Sequence, residues 1–200
     1  MKEISTVIFD LGRVLVNIDF DAFPRALGID RKHADKTVEA AVERMAVQYE
    51  TGKIGTDQFL ESLEKIFLGK FSREQLLAAW NAIIEEENAA MLPIVDAVQA
   101  RYQTAILSNT SPTHFIKAYD TTAIIKKFSK RYLSFQIGSM KPDPVVYNYV
   151  IRDLSAAPSS ILFIDDISEN ITAAMKCGIQ GLLYTDIPHL KADFLLKQIL

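Results

Sequence analysis

Four short stretches carry side chains whose chemistry is out of place in a core. Asp10 follows the apolar run Thr6-Val7-Ile8-Phe9, and Asp165-Asp166 follow Ile161-Leu162-Phe163-Ile164. Ser108 and Asn109 end the run Ala105-Ile106-Leu107, and Lys141 sits in the turn-forming segment Gly138-Ser139-Met140-Lys141-Pro142-Asp143. A continuous apolar run is what a strand buried on both faces requires, whereas an unpaired carboxylate beside a core costs several kcal/mol. Ligands of open α/β sheets bind at the carboxyl ends of the strands, so carboxylates there suit chemistry. If Asp10, Asp165 and Asp166 converge, they repel one another and raise each other's pKa unless a cation intervenes. Mg²⁺ is the cation suited to oxygen-only ligands, and two carboxylates sharing it must lie well within about 10 Å of each other. The competing readings are that Asp10 caps a loop and that Asp165-Asp166 only cap the next helix.

The elements that position these residues follow from apolar periodicity. Strands are expected at 6–9, 104–107, 131–135, 160–164 and 181–184. Helices are expected at 92–100, with Pro93 in the first turn, at 112–118, from the Asp143-Pro144 cap through Val150, from Ser168 to a stop at Gly178, and at 189–199. Alternating strands and helices call for a parallel sheet covered on both faces. Between Phe20 and Asn88 the pattern shows no strand but several amphipathic helices: 37–49, 56–67 with Thr56 as N-cap, and one through Ile84 opened by the capping box Ser72-Arg73-Glu74-Gln75. Gly52, Gly55 and Gly69 mark the breaks.

Composition bounds the class. The 200 residues are 49% hydrophobic, enough for one good core and a small second unit. A net charge of −3 and a pI near 5.7 provide no basic field, so nucleic acid is not an expected partner. No apolar run reaches membrane-spanning length, and Met1-Lys2-Glu3-Ile4 leads straight into the first strand, so no membrane partner is expected and the expected compartment is the cytoplasm. The single cysteine, Cys177, is read as packing. His33, His114 and His189 have no partner at ligand or triad spacing and are assigned surface or packing roles.

Asp10, Ser108, Lys141 and Asp165, in that order, match the four motifs of the haloacid dehalogenase-like (HAD) hydrolases, and the sequence resembles that superfamily over nearly its whole length. The resemblance implies a Rossmann-like three-layer α/β core (1–16 and 90–200) with a five-stranded parallel sheet in the order 3-2-1-4-5, and a small all-α cap (17–89). It implies a phosphatase acting on a small phosphorylated metabolite, plausibly a sugar phosphate, through an aspartyl-phosphate on Asp10. Mg²⁺ would be held by Asp10, Asp165 and the backbone carbonyl of Gly12, with Asp166 at or beside the ion. Ser108 and Asn109 would hold phosphoryl oxygens, and Lys141 would place a point charge against the phosphate and Asp10.

HAD phosphatases usually carry a second Asp two residues after the nucleophile, then Gly-Thr, and that Asp is their general acid and base. This chain has Gly12, Arg13 and Val14. A bacterial glucose-1-phosphate phosphatase subgroup also reads Asp-Leu-Gly here, and this sequence is most similar to that group. Arg13 could reach a substrate anion or extend into solvent. Two rival functions stand: a metal-free dehalogenase of the same superfamily, which the Asp165-Asp166 pair disfavours, and a silent HAD fold that binds or regulates. Asn170 either faces the site or extends a cap, and Trp80 and Phe23 either line the site or pack among the helices.

Overall fold

The computed structural model describes residues 3–30 and 35–200; His33 lies outside them. Five parallel strands, β1 (Thr6–Phe9), β4 (Gln103–Ser108), β5 (Lys130–Leu133), β6 (Ile161–Asp165) and β7 (Gln180–Leu183), form one sheet in the order β5-β4-β1-β6-β7. Counted along the sheet's own strands this is 3-2-1-4-5, the order that the resemblance implied. β1 lies at the centre, with Phe9 in register with Ile106 on one side and Ile164 on the other. The central strand therefore delivers Asp10 between the ends of β4 and β6.

The pleat explains why these runs are apolar throughout. Val7, Phe9, Ile106 and Ile164 point to one face, where they pack with Val95, Ala118 and Phe194 of helices α5 (Leu92–Gln99), α6 (Pro112–Thr121) and α10 (Ile187–Leu196). Ile8, Leu107 and Phe163 point to the other, against Val146, Tyr147 and Ile171 of α8 (Pro144–Leu154) and α9 (Ser168–Lys176). Each large aliphatic or phenylalanine side chain buried in this way contributes about 1.5–3 kcal/mol before entropy is counted.

Helices α1 (Ala22–Ala26), α2 (Lys36–Glu50), α3 (Thr56–Ile66) and α4 (Arg73–Asn81) share a separate apolar cluster that includes Phe23, Tyr49, Phe59, Leu63, Leu76 and Trp80. The capping box at Ser72 and Gln75 is present. Thr56 is not the N-cap of α3; Gly55 is, and the Thr56 hydroxyl instead meets Tyr49 Oη at 2.9 Å.

The expectation of no strand between Phe20 and Asn88 fails. α4 stops at Asn81, and β3 (Ile84–Glu87) pairs antiparallel with β2 (Val16–Ile18), so the two passages to and from the helices run side by side. Ile84 is buried, and the Glu87 carboxylate accepts from the Ala123 and Ile124 N–H groups at 2.9 and 2.8 Å. Partners distant in sequence, rather than propensity, make a strand of Ile-Glu-Glu-Glu. The third sheet strand also ends earlier than expected, at Leu133, because Ser134–Ile137 turns into a short helix, α7. Cys177 is partly buried against the α8–α9 side of the sheet, and exposed His189 meets Asp186, the N-cap of α10.

Candidate active site

Asp10, buried at the end of β1, accepts a hydrogen bond from the Leu11 N–H at 2.7 Å. Lys141 is drawn down until its Nζ lies 2.7 Å from Asp10 Oδ1 and 2.7 Å from Asp165 Oδ2, and it also donates to the Leu107 carbonyl at 3.2 Å. Asn109 fixes the lysine's backbone from both sides: its Nδ2 donates to the Lys141 carbonyl and its Oδ1 accepts from the Lys141 N–H, each at 2.8 Å. Ser108 is buried one residue earlier, and Ser108 and Asn109 line the same cavity as Asp10 and Lys141.

Asp165 is fully buried. Its Oδ1 accepts from the Ile167 N–H at 2.8 Å and from Asn170 Nδ2 at 3.0 Å, and its Oδ2 from the same Nδ2 at 3.1 Å. Asn170, which sequence left between site and cap, thus does positioning work on the first turn of α9. Asp166 is half-buried and faces the Arg13 guanidinium at 3.6 Å. Arg13 adopts φ +60° and also lies over the Phe20 ring at 5.3 Å, so it lines the cavity while its side chain stays more than half exposed.

Carboxylate oxygens of Asp10, Asp165 and Asp166 lie within 4.8 Å of one another. Burial pushes the Asp10 carboxyl well above the ordinary range, with Lys141 opposing and the charge of Asp165 adding to the rise. Burial and Asp165 likewise raise Asp166, against the pull of Arg13. Burial would depress Lys141, but Asp10 and Asp165 outweigh it and hold its ammonium above the ordinary value. The Lys141 ammonium and the partly exposed Arg13 guanidinium together do not offset three carboxylates, so this hard, oxygen-only donor set fits a divalent cation such as Mg²⁺.

The cavity measures about 260 Å³, and its wall includes Phe20, Ile83 and Glu50 from the helical side and His114 from α6. Burial pushes the His114 imidazole down to about 4, and its ring stacks on Trp80 at 4.5 Å. Trp80 and Phe23 are buried among the helices and line a second, larger cavity of about 780 Å³ that shares Phe20, Glu50, Ile83 and His114 with the first. Glu50 escaped the sequence reading, because a glutamate ending an amphipathic helix has the pattern of a solvated side chain.

Comparison with known proteins gives a consistent set. A family described as haloacid dehalogenase-like hydrolase matches residues 4–178. A D-ribitol-5-phosphate phosphatase from Bacteroides thetaiotaomicron is 29% identical over 190 residues, covering 88% of this chain and 90% of that one. Crystal structures of a HAD family enzyme from the same bacterium cover 94% of this chain and 98% of theirs: one has a TM-score of 0.84 at 26% identity. Another, the wild-type protein in complex with magnesium and inorganic phosphate, has a TM-score of 0.80 at 27% identity.

Proposed function

The chain belongs to the haloacid dehalogenase-like hydrolases, and on that premise we propose that it is a Mg²⁺-dependent phosphatase of small phosphorylated metabolites, sugar or polyol phosphates foremost. The observation that carries this reading is the buried Asp10–Lys141–Asp165 bridge with Asp166 beside it, at the ends of two adjacent strands. Asp10 attacks phosphorus; the new bond is to its carboxylate oxygen, and the electron pair of the breaking P–O bond leaves with the substrate oxygen. Water then attacks the aspartyl-phosphate and returns the carboxylate. Lys141 and Ser108 bind the transferring phosphoryl oxygens, while Asn109 holds Lys141 in place. Asp10, Asp165 and Asp166, with the Gly12 carbonyl, are the groups that would hold Mg²⁺. When bound, the ion neutralises negative charge on the carboxylates and on the phosphate.

Residues 17–89 act as the cap that closes the cavity, whose 260 Å³ suits a small metabolite rather than a polymer. The substrate class rests on the ribitol-phosphate relative and on that size. A metal-free dehalogenase would leave the carboxylates uncompensated. The test is phosphate release from a panel of sugar, polyol, alkyl and aryl phosphates, with Mg²⁺ and with chelator. Release that needs Mg²⁺ and falls below a few per cent in Asp10→Asn is the expected result, since an amide is a far poorer nucleophile. An inert wild-type protein would instead favour the binding or regulatory role.

A further inference from the structure

The family's second aspartate is missing, yet an acid reaches the cavity from the helical side. Glu50 ends α2 and lines the same cavity as Asp10, Gly12 and Lys141. It is half-buried, and its carboxylate has no hydrogen-bond or ion-pair partner among the described residues, unlike every other acidic side chain lining that cavity.

The end of α2 is held against the sheet module at two points. Tyr49 Oη donates to Thr113 Oγ1 on α6 at 3.3 Å, while the Tyr49 ring stacks on Phe59 at 4.5 Å. Gly52 has φ +67° and approaches so closely that a Cβ there would lie 2.2 Å from the Phe135 carbonyl oxygen. A carboxylate between these anchors has a fixed station and nothing among the described residues to bond.

Resting on the phosphatase reading, we propose that Glu50 is the general acid and base of this enzyme, doing from the helical side the work for which Gly12 has no side chain. In the first step the P–O bond to the leaving group breaks, its electron pair stays on the leaving oxygen, and that oxygen takes the Glu50 proton. In the second, the Glu50 carboxylate takes a proton from the water that attacks phosphorus, and Asp10 departs as carboxylate. Proton and electron pairs balance over the two steps, and Glu50 ends as it began. Burial pushes the Glu50 carboxyl up to about 7, a value suited to giving and retaking a proton near neutrality. The other charged groups lining the cavity are Asp10, Arg13, Lys141 and Asp166, and His114 is neutral there.

The test compares Mg²⁺-loaded wild type with Glu50→Gln in single turnovers, so that leaving-group release reports the first step alone. A primary alkyl phosphate needs a proton on its leaving oxygen and p-nitrophenyl phosphate does not. Release of the alcohol should therefore fall about 100-fold or more, while release of nitrophenolate changes by no more than about threefold. Should Glu50→Gln melt early, Glu50→Asp, which keeps the acid but withdraws it, carries the same comparison and should lose alkyl turnover selectively. Equal losses on both substrates in a folded variant, or no loss on either, would overturn the proposal. So would a loss that follows the number of substrate hydroxyls instead of leaving-group basicity, since that marks a binding contact. Wild-type protein inert toward every ester would refute the phosphatase reading itself, an outcome distinct from an active wild type with an unaffected Glu50→Gln.

Discussion

Gly12 does not need to be glycine for its backbone. The left-handed conformation falls on Arg13, and a Cβ on Gly12 would meet only the flexible Ile18 side chain, 3.2 Å away. An aspartate can therefore enter if Ile18 yields a few tenths of an ångström. In the Glu50→Gln background, Gly12→Asp is expected to raise alkyl phosphate turnover relative to aryl by about tenfold or more, and by less in the wild type, where Glu50 already donates. The same factor on alkyl, aryl and anomeric phosphates would show that leaving-group protonation is not what position 12 lacks. At this scale the sequence exposed the strand-end residues, because Asp10, Ser108 and Asp165 each interrupt an apolar run. It did not expose Glu50 or the bonds from Asn170 to Asp165, because a polar residue in the first or last turn of a helix has the same pattern whether it faces solvent or a cavity.

Among the elements, the turn after α2 decides how the helices meet the sheet module. Gly28 and Gly52 share almost the same backbone angle, φ +66° and +67°, but nothing among the described residues lies within 4 Å of a Cβ on Gly28 whereas the Phe135 carbonyl blocks one on Gly52. Gly28→Ala should cost only the left-handed penalty, about 1–2 kcal/mol. Gly52→Ala adds a backbone clash, and is expected to lower the melting temperature further and to speed amide exchange at the end of α2. Equal melting shifts for the two variants would mean that the turn does not press on α7. Sequence marked Gly52 as a break between helices without indicating what lies opposite it, since close approach depends on a residue more than eighty positions away. The β2–β3 ribbon was hidden for a related reason: Ile-Glu-Glu-Glu has no strand signal of its own, and pairing with Val16–Ile18 supplies it.

Across the whole molecule, alternating apolar runs made the strands and the parallel sheet legible and the family resemblance supplied their order, while the docking of helices onto the sheet rests on polar and aromatic contacts that periodicity does not encode. His114, in the first turn of α6, is the centre of that joint: its Nε2 donates to the Trp80 carbonyl at 2.7 Å and its ring stacks on the Trp80 indole, whose Nε1 donates to Ser111 Oγ at 3.2 Å. Burial lowers its pKa from the ordinary 6.5 to about 4, so between these values the unfolded chain binds a proton that the folded protein refuses. Stability should therefore rise with pH across that window and be lost as pH falls through it, by up to about 1.4 kcal/mol for each pH unit. Phenylalanine keeps an aromatic ring against Trp80 and removes the titration. Because both proteins carry the same carboxylates, the difference in unfolding free energy between His114→Phe and wild type isolates the imidazole. That difference should shift in favour of the variant as pH is lowered from 6.5 to 4, whatever its value at neutrality. Denaturation curves whose free energies run parallel over the window would mean that the imidazole is protonated within the joint and that the helices do not exclude water from it.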